Sequence, residues 1–206
     1  MRVDRNRAVE VAAAAFRAHG ISEADATQTA EVLVSADARG KHSHGLLRLP
    51  RFVRGIEHGN VDPDGSIEVV AERGGAATLS GGSRLGPVVA SVAVAEAMDR
   101  AAEFGVGAVG VHDSNHLGML GYYTDQLLQE GFVGIGLTNT EPAMPPYGGT
   151  EPVLGTNPIA IGLPTDPAFN LDMSTSGIAR GTVLHYQETD QQLPEGVALE
   201  AEGQPT

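Results

Sequence analysis

The hydrophobic pattern of this 206-residue chain changes its period once, at Asp62-Pro63-Asp64-Gly65, and that change limits the folds open to it. Ahead of the turn, apolar residues recur at helical spacing. Asp4 is placed to cap a helix with Val9, Ala12, Ala13 and Phe16 on one face and Gly20 as its stop. Ser22 opens a second helix that buries Ala26, Ala30, Val32, Leu33 and Ala36 and ends at Gly40. A third runs through Leu49, Phe52, Val53 and Ile56 to Gly59, with Pro50 in its first turn.

Beyond the turn, short apolar runs alternate with helices. Strands are predicted at 67–70 and 76–79, as a hairpin across Arg73-Gly74-Gly75, and at 106–111, 133–137, 159–163 and 169–172. Helices are predicted at 87–104, with Val88, Val89, Val92, Ala95 and Met98 inward, at 119–129, and after Ser176. A Pro/Gly-rich loop at 138–157 has no predicted structure, and loops of that length inside a domain are commonly functional. The class is therefore α/β, with an N-terminal helical part at residues 1–64 and a second part at 65–206. The chain ends in a turn-like segment through Gly203-Gln204-Pro205-Thr206 with no closing element.

Composition excludes several function classes. There is no cysteine, hence no disulfide, thiolate metal site or cysteine nucleophile. The formal charge is −13, from 26 acidic and 13 basic residues, and Lys41 is the only lysine. Such a surface repels nucleic acid and anionic membranes. It also suits a salty cytoplasm, where screening relieves self-repulsion, although an ordinary acidic enzyme reads the same way. Met1-Arg2-Val3-Asp4-Arg5 leads into an amphipathic helix, and no run of about 18 apolar residues occurs, so a cytoplasmic location is expected.

Two motifs are decoys. Gly105-Val106-Gly107-Ala108-Val109-Gly110 spells G-x-G-x-x-G, but a helix precedes the glycines and a strand contains them, the reverse of the dinucleotide fingerprint. These glycines are expected to let the strand pack closely on helices. His112 and His116 stand at i, i+4 without the glutamate of H-E-x-x-H, and His42-Ser43-His44 is equally incomplete, so no metal is expected.

The chemistry concentrates in His42-Ser43-His44-Gly45-Leu46-Leu47-Arg48, at a helix junction, and in Asn115-His116-Leu117-Gly118. Imidazole exchanges protons near neutral pH, and a guanidinium fork matches a carboxylate, which suggests 2-hydroxy or 2-oxo acid chemistry. Alternative roles stay open: His116 as a structural loop histidine, Arg48 as an ion-pair partner, and Ser43, Thr156, Ser174, Thr175 and Ser176 as caps.

Ser43-His44-Gly45 with Arg48, Gly110-Val111 leading to Asn115-His116-Leu117-Gly118, Gly155-Thr156-Asn157-Pro158 and Asp172-Met173-Ser174-Thr175-Ser176 lie in one order along nearly the whole chain. In this the chain resembles the malate/L-lactate dehydrogenase family, which includes sulfolactate and ureidoglycolate dehydrogenases and cyclic imino acid reductases. The resemblance implies a non-Rossmann, mixed-sheet nucleotide-binding domain, NAD or NADP as cofactor, and a homodimer. It implies hydride transfer between the nicotinamide and a small 2-hydroxy or 2-oxo acid of the malate or lactate type. His116 then matches the general acid/base, with Ser43 and His44 beside the reacting carbon, and Arg48 and Thr156 grip the substrate. Cofactor contacts fall on Leu117, Gly118, Leu120, Gly121, Thr140, Ser174, Thr175 and Ser176, where backbone amides and small hydroxyls suit phosphate oxygens. Gly196-Val197-Ala198-Leu199-Glu200 departs from the family's Gly-Trp-Ala-Leu-Asp; if that acid orients His44, Glu200 takes its place. The family also continues past the point matching Thr206, so the rival expectation is a catalytically silent binding or dimerisation module.

Overall fold

The Asp4 carboxylate accepts a hydrogen bond from the Arg7 amide and starts α1, Arg5–Arg17, and the Ser22 hydroxyl accepts from the Asp25 amide and starts α2, Glu23–Ala38. These caps satisfy amides that have no partner inside a helix. The computed structural model describes residues 3–200 and 203–205, apart from the Glu188 side chain; Met1, Arg2 and Thr206, noted above at the chain ends, lie outside them. Ala12, Ala13 and Phe16 of α1 pack on Ala26, Ala30 and Leu33 of α2 in the main core. After α2 the chain tightens into two 3₁₀ turns, His42–His44 and Leu46–Arg48, and then runs into α3, Leu49–Glu57.

The strands form two sheets. In the first, β1 (Glu68–Arg73) pairs antiparallel with β2 (Ala76–Ser80), as the hairpin reading expected, and β2 pairs parallel with β3 (Ala108–His112). The parallel step is made by α4, Gly86–Phe104. Helix α5, Gly121–Gln129, leads to the second sheet, β4 (Gly134–Leu137), β5 (Ile159–Leu163) and β6 (Phe169–Met173), which is antiparallel throughout. Helix α6, Arg180–Glu188, follows. The mixed sheet expected from the resemblance is thus the first of two. Leu85 and Val88, at the start of α4, join the same core as α1, α2 and Phe52, so the first helices and the α/β part share their packing.

Three expectations need correcting. On α4, Val88 and Val89 are buried, but Val92 and Ala95 are exposed, and Ala90 and Val94 pack inward on the second core cluster instead. The helix is apolar nearly all round, so its periodicity has too little contrast to select a face. The 138–157 loop is not structureless: Met144 and Leu154 exchange backbone hydrogen bonds in a small antiparallel bridge. Met119 and Leu120 are buried just before α5 rather than inside it.

The glycine-rich decoy behaves as its order predicts. Gly105 ends α4 in the left-handed region, at φ 81°. A Cβ on Gly107 would overlap the Ala97 carbonyl, so this glycine lets strand and helix approach, whereas Gly110 meets only the Ala77 oxygen at 4.0 Å and has no such constraint.

Candidate active site

Two chain segments converge on one recess. The first is the 3₁₀ junction with His44 and Arg48, and the second is the irregular run 113–120 that carries His116. The His44 and His116 ring centroids are 6.0 Å apart, and Phe52 of α3 lies 5.7 Å from His116 on a tilted plane. The Ser43 hydroxyl and His44 Nδ1 share a hydrogen bond of 3.0 Å. Arg48 donates through Nε to the Ser43 carbonyl at 2.6 Å, which fixes the direction of its fork. Ser43, His44, Arg48 and His116 are therefore brought together.

The recess keeps both rings neutral. His116 keeps solvent-accessible surface, but protein atoms crowd around it and remove much of the hydration of its ring. This loss of water, followed by His44, Arg48 and Arg51, pushes its pKa down to about 3, with Glu141 opposing. His44 is lowered first by burial and then by Arg48, while Asp172 pulls upward. A neutral imidazole beside a guanidinium has a lone pair ready to accept a proton.

Both segments are held by residues to which the sequence reading gave no role. Asp37 accepts from the Leu46 amide at 2.8 Å and lies 2.8 Å from His42 Nδ1. Gly45 is buried against the same carboxylate, and a Cβ there would sit 2.5 Å from Asp37 Oδ2. Asp37 lies in the last turn of α2, where the helix dipole disfavours a carboxylate. That misplaced charge was the one sequence signal of its task. Asn115 donates through Nδ2 to the carbonyls of Asn60 (3.2 Å), Ser83 (2.8 Å) and Arg84 (3.0 Å), clamping the residue before His116. Beneath it, a Cβ on Gly86 would lie 2.5 Å from the His116 carbonyl carbon.

The other positions named from the sequence fall in two neighbouring groups. Thr140 and Thr156 hydroxyls are 3.3 Å apart, the Thr156 amide donates to Thr140 Oγ1 at 2.8 Å, and Thr175 donates to the Thr156 carbonyl. Ser176 donates to the Ile178 carbonyl at 2.7 Å and lies 3.1 Å from the Ser174 hydroxyl, closing the turn after β6. In the run ahead of α5, the Leu117 carbonyl accepts from the Tyr123 hydroxyl at 2.5 Å. Gly118 adopts φ 86° against Val32, and the Leu120 side chain lies in the core. The Gly121 amide is already donated to Asp172 Oδ2 at 2.7 Å. Asp172 therefore ties the α5 start to β6, and it is also the carboxylate that His44 senses; Glu200 is exposed in a terminal turn with Gln204. His112 pairs with Asp113, and among the described residues no cluster of three or more His, Asp or Glu is arranged to hold a metal.

The α/β chain thus brings two imidazoles and a guanidinium together at a helix junction, with small hydroxyls and tight glycines alongside. The family model described as Malate/L-lactate dehydrogenase matches residues 3–206, and the chain belongs to that family. It is 45% identical over 192 residues to the malate/(S)-sulfolactate dehydrogenase of Methanothermus fervidus, covering 93% of this chain and 57% of the relative. It is 36% identical to the (2R)-3-sulfolactate dehydrogenase (NADP(+)) of Chromohalobacter salexigens, covering 99% of this chain and 62% of the relative. The solved sulfolactate dehydrogenase of Methanocaldococcus jannaschii superposes with a TM-score of 0.91 at 39% identity, over 100% of this chain and 60% of that one. The chain thus spans about 60% of the length of the relatives it matches. Among the described residues no helix is long and apolar enough to cross a membrane.

Proposed function

We propose that the chain carries the catalytic site of an NAD(P)-dependent oxidoreductase acting on small 2-hydroxy and 2-oxo acids, of the malate or lactate type. The observation that carries this reading is the 6.0 Å approach of the His116 and His44 rings beside Arg48. Arg48 holds the substrate carboxylate, with Thr156 completing the grip. His116, neutral at pH 7, takes the proton of the C2 hydroxyl as the C2 hydrogen leaves as hydride; in reduction it returns that proton. Ser43 and His44 orient the reacting oxygen. The carboxylate also offsets the cationic charge of Arg48 and Arg51, which raises the affinity of His116 for the proton it accepts. When bound, NAD or NADP supplies the hydride acceptor. The residues that would hold a dinucleotide are Thr140, Ser174, Thr175 and Ser176, whose hydroxyls bond within the protein and would exchange those bonds for phosphate oxygens, with the backbone at Leu117 and Gly118 alongside. Leu120 and Gly121 serve through position rather than contact, since one side chain lies in the core and the other residue's amide is taken by Asp172.

The division into a helical part at 1–64 and a cofactor-binding part at 65–206 belongs to the same proposal. So do a cytoplasmic setting and partners limited to small molecules and a second copy of the chain. The acidic charge argues against nucleic acid and membrane surfaces. A homodimer is supported by the outer side of the second sheet, where Ile135 and Leu137 of β4 are 65% and 70% exposed and Phe169 and Met173 are exposed across β5 on β6.

The test is nucleotide reduction by the purified chain with L-malate, L-lactate and sulfolactate, using NAD and NADP at low and high salt. Substrate-dependent absorbance at 340 nm that falls about 100-fold or more in His116→Asn supports the proposal. Turnover untouched by that substitution refutes the role of His116, and ligand binding with no turnover under any condition favours the binding or dimerisation module.

A further inference from the structure

The backbone that carries His116 is held by side chains alone. Among the described residues, none of residues 114–118 takes part in a backbone–backbone hydrogen bond. Ahead of the ring, Asn115 makes its three bonds to the carbonyls of Asn60, Ser83 and Arg84. Behind the ring, the Leu117 carbonyl accepts from the Tyr123 hydroxyl at 2.5 Å. Gly118 then turns the chain at φ 86°, where Val32 leaves no space for a Cβ. His116 is therefore suspended between two side-chain anchors, one on each side.

The second anchor follows from helix geometry. Tyr123 is the third residue of α5, and helical side chains tilt toward the N-terminus, so its ring reaches back toward the run that precedes the helix. The residue is 4% exposed and packs among Val32, Leu120 and Ala160. Phenylalanine would fill that apolar space as well, and a hydroxyl buried there is costly unless it is bonded. Its partner is the carbonyl of the residue directly after His116. Burial pushes the Tyr123 pKa well above the usual tyrosine value, so the hydroxyl keeps the proton it donates. Tyr122, its edge-on neighbour at 5.4 Å, is partly exposed.

We propose that Tyr123 is a positioning residue for His116: its hydroxyl, donating to the Leu117 carbonyl from within the core, fixes the peptide behind the ring and, with Asn115 ahead of it, holds the imidazole in the recess. The inference rests on the reading of His116 as proton acceptor and adds what keeps it in place. The groups whose charge His116 senses are His44, Arg48, Arg51 and Glu141, the last two paired at 3.1 Å, and a change at Tyr123 removes none of them.

In Tyr123→Phe the Leu117 carbonyl loses its donor, the run loosens, and the ring regains the water that favours its charged form. NMR titration of the His116 imidazole in the 206-residue chain reads this without turnover. The wild-type ring should stay neutral from pH 7.5 to pH 5, whereas in Tyr123→Phe its midpoint should rise by about two pH units or more, from about 3 toward 6.5. Turnover should fall about 10-fold or more with the substrate KM within about 2-fold, because the ring is displaced and Arg48 is not. Tyr122→Phe should change neither reading. Both are repeated in about 1 M trimethylamine N-oxide, which favours the folded chain without replacing the hydroxyl. An unshifted titration in folded Tyr123→Phe, the same shift in Tyr122→Phe, or a deficit that the osmolyte removes overturns the proposal. If Tyr123→Phe shifts the titration while His116→Asn keeps full turnover, the catalytic reading of His116 fails and its anchoring by Tyr123 stands.

Discussion

Gly86 to alanine is the sharpest test of how the site is built, because it touches neither imidazole. A Cβ at residue 86 would lie 2.5 Å from the His116 carbonyl carbon and would also overlap the Asn115 and His116 carbonyl oxygens. Ordinary carbon contacts begin at about 3.5 Å, so the segment must retreat by about 1 Å. Retreat is resisted, since Asn115 is hydrogen-bonded to three carbonyls and all the obstructing atoms are backbone. Overpacking of this kind costs about 1–3 kcal/mol, and Gly86 is the first residue of α4, where alanine regains little of the interior helix propensity that would offset it. A shift of about 1 Å in a catalytic group costs about 100-fold in rate. Urea denaturation and kcat/KM are the two measurements, and Gly110→Ala is the control, since its Cβ meets only one atom, at 4.0 Å. If Gly86→Ala matches wild type in both midpoint and turnover, the close passage of the His116 backbone over α4 is not what positions the ring.

Two further substitutions probe the surroundings. Asp37→Ala removes the acceptor of the Leu46 amide and the partner of His42, and is expected to cost about 1–3 kcal/mol in chemical denaturation and to weaken substrate binding through Arg48; an unchanged KM would separate Asp37 from the site. Ile135→Lys on the open face of β4 is expected to lower the dimer fraction in light scattering without altering the recess, and an unaltered mass would remove that face from the association.

The N-terminal helices were legible in the sequence because their signals are local: Asp4 and Ser22 each cap within three residues, and Gly20 and Gly40 take the left-handed conformations that their positions demand. The strands were legible for the same reason, although their division into two sheets was not, since pairing joins residues far apart in the chain. His44, Arg48 and His116 stood out by residue type and motif. Asp37 was not singled out, because an acid in a helix passes as a solvated charge until Gly45 and Leu46 are seen to fold onto it. Arg51 and Glu141 are 90 residues apart, and no local pattern connects them. Sequence therefore revealed the candidate groups for chemistry more readily than those that hold them, because the former are defined by residue type and motif and the latter by a tertiary neighbour.

The depressed imidazoles make a pH prediction whose sign can be worked out. His116 has a folded pKa of about 3 against 6.5 for the free ring, and His44 is lowered as well. Between those values the unfolded chain binds more protons than the folded one, so their contribution to stability is complete above about 6.5 and is lost as pH falls toward 3. Glu141, lowered from 4.5, acts in the same direction but only below that value. The interval from about 6.5 to 4.5 therefore belongs to the imidazoles. Across the same interval the chain approaches its pI of 4.8 and sheds negative charge, which relieves self-repulsion and opposes the loss. Subtracting the His116→Asn profile from the wild type at fixed ionic strength removes that common background. The difference in unfolding free energy should shrink from pH 7.5 to pH 5, by less per pH unit than the ~1.4 kcal/mol of a fully buried group, because His116 is exposed and screened by water. A difference that stays constant, or grows toward acid, would mean that His116 is not held neutral in the folded chain, and its role as proton acceptor would fall with it.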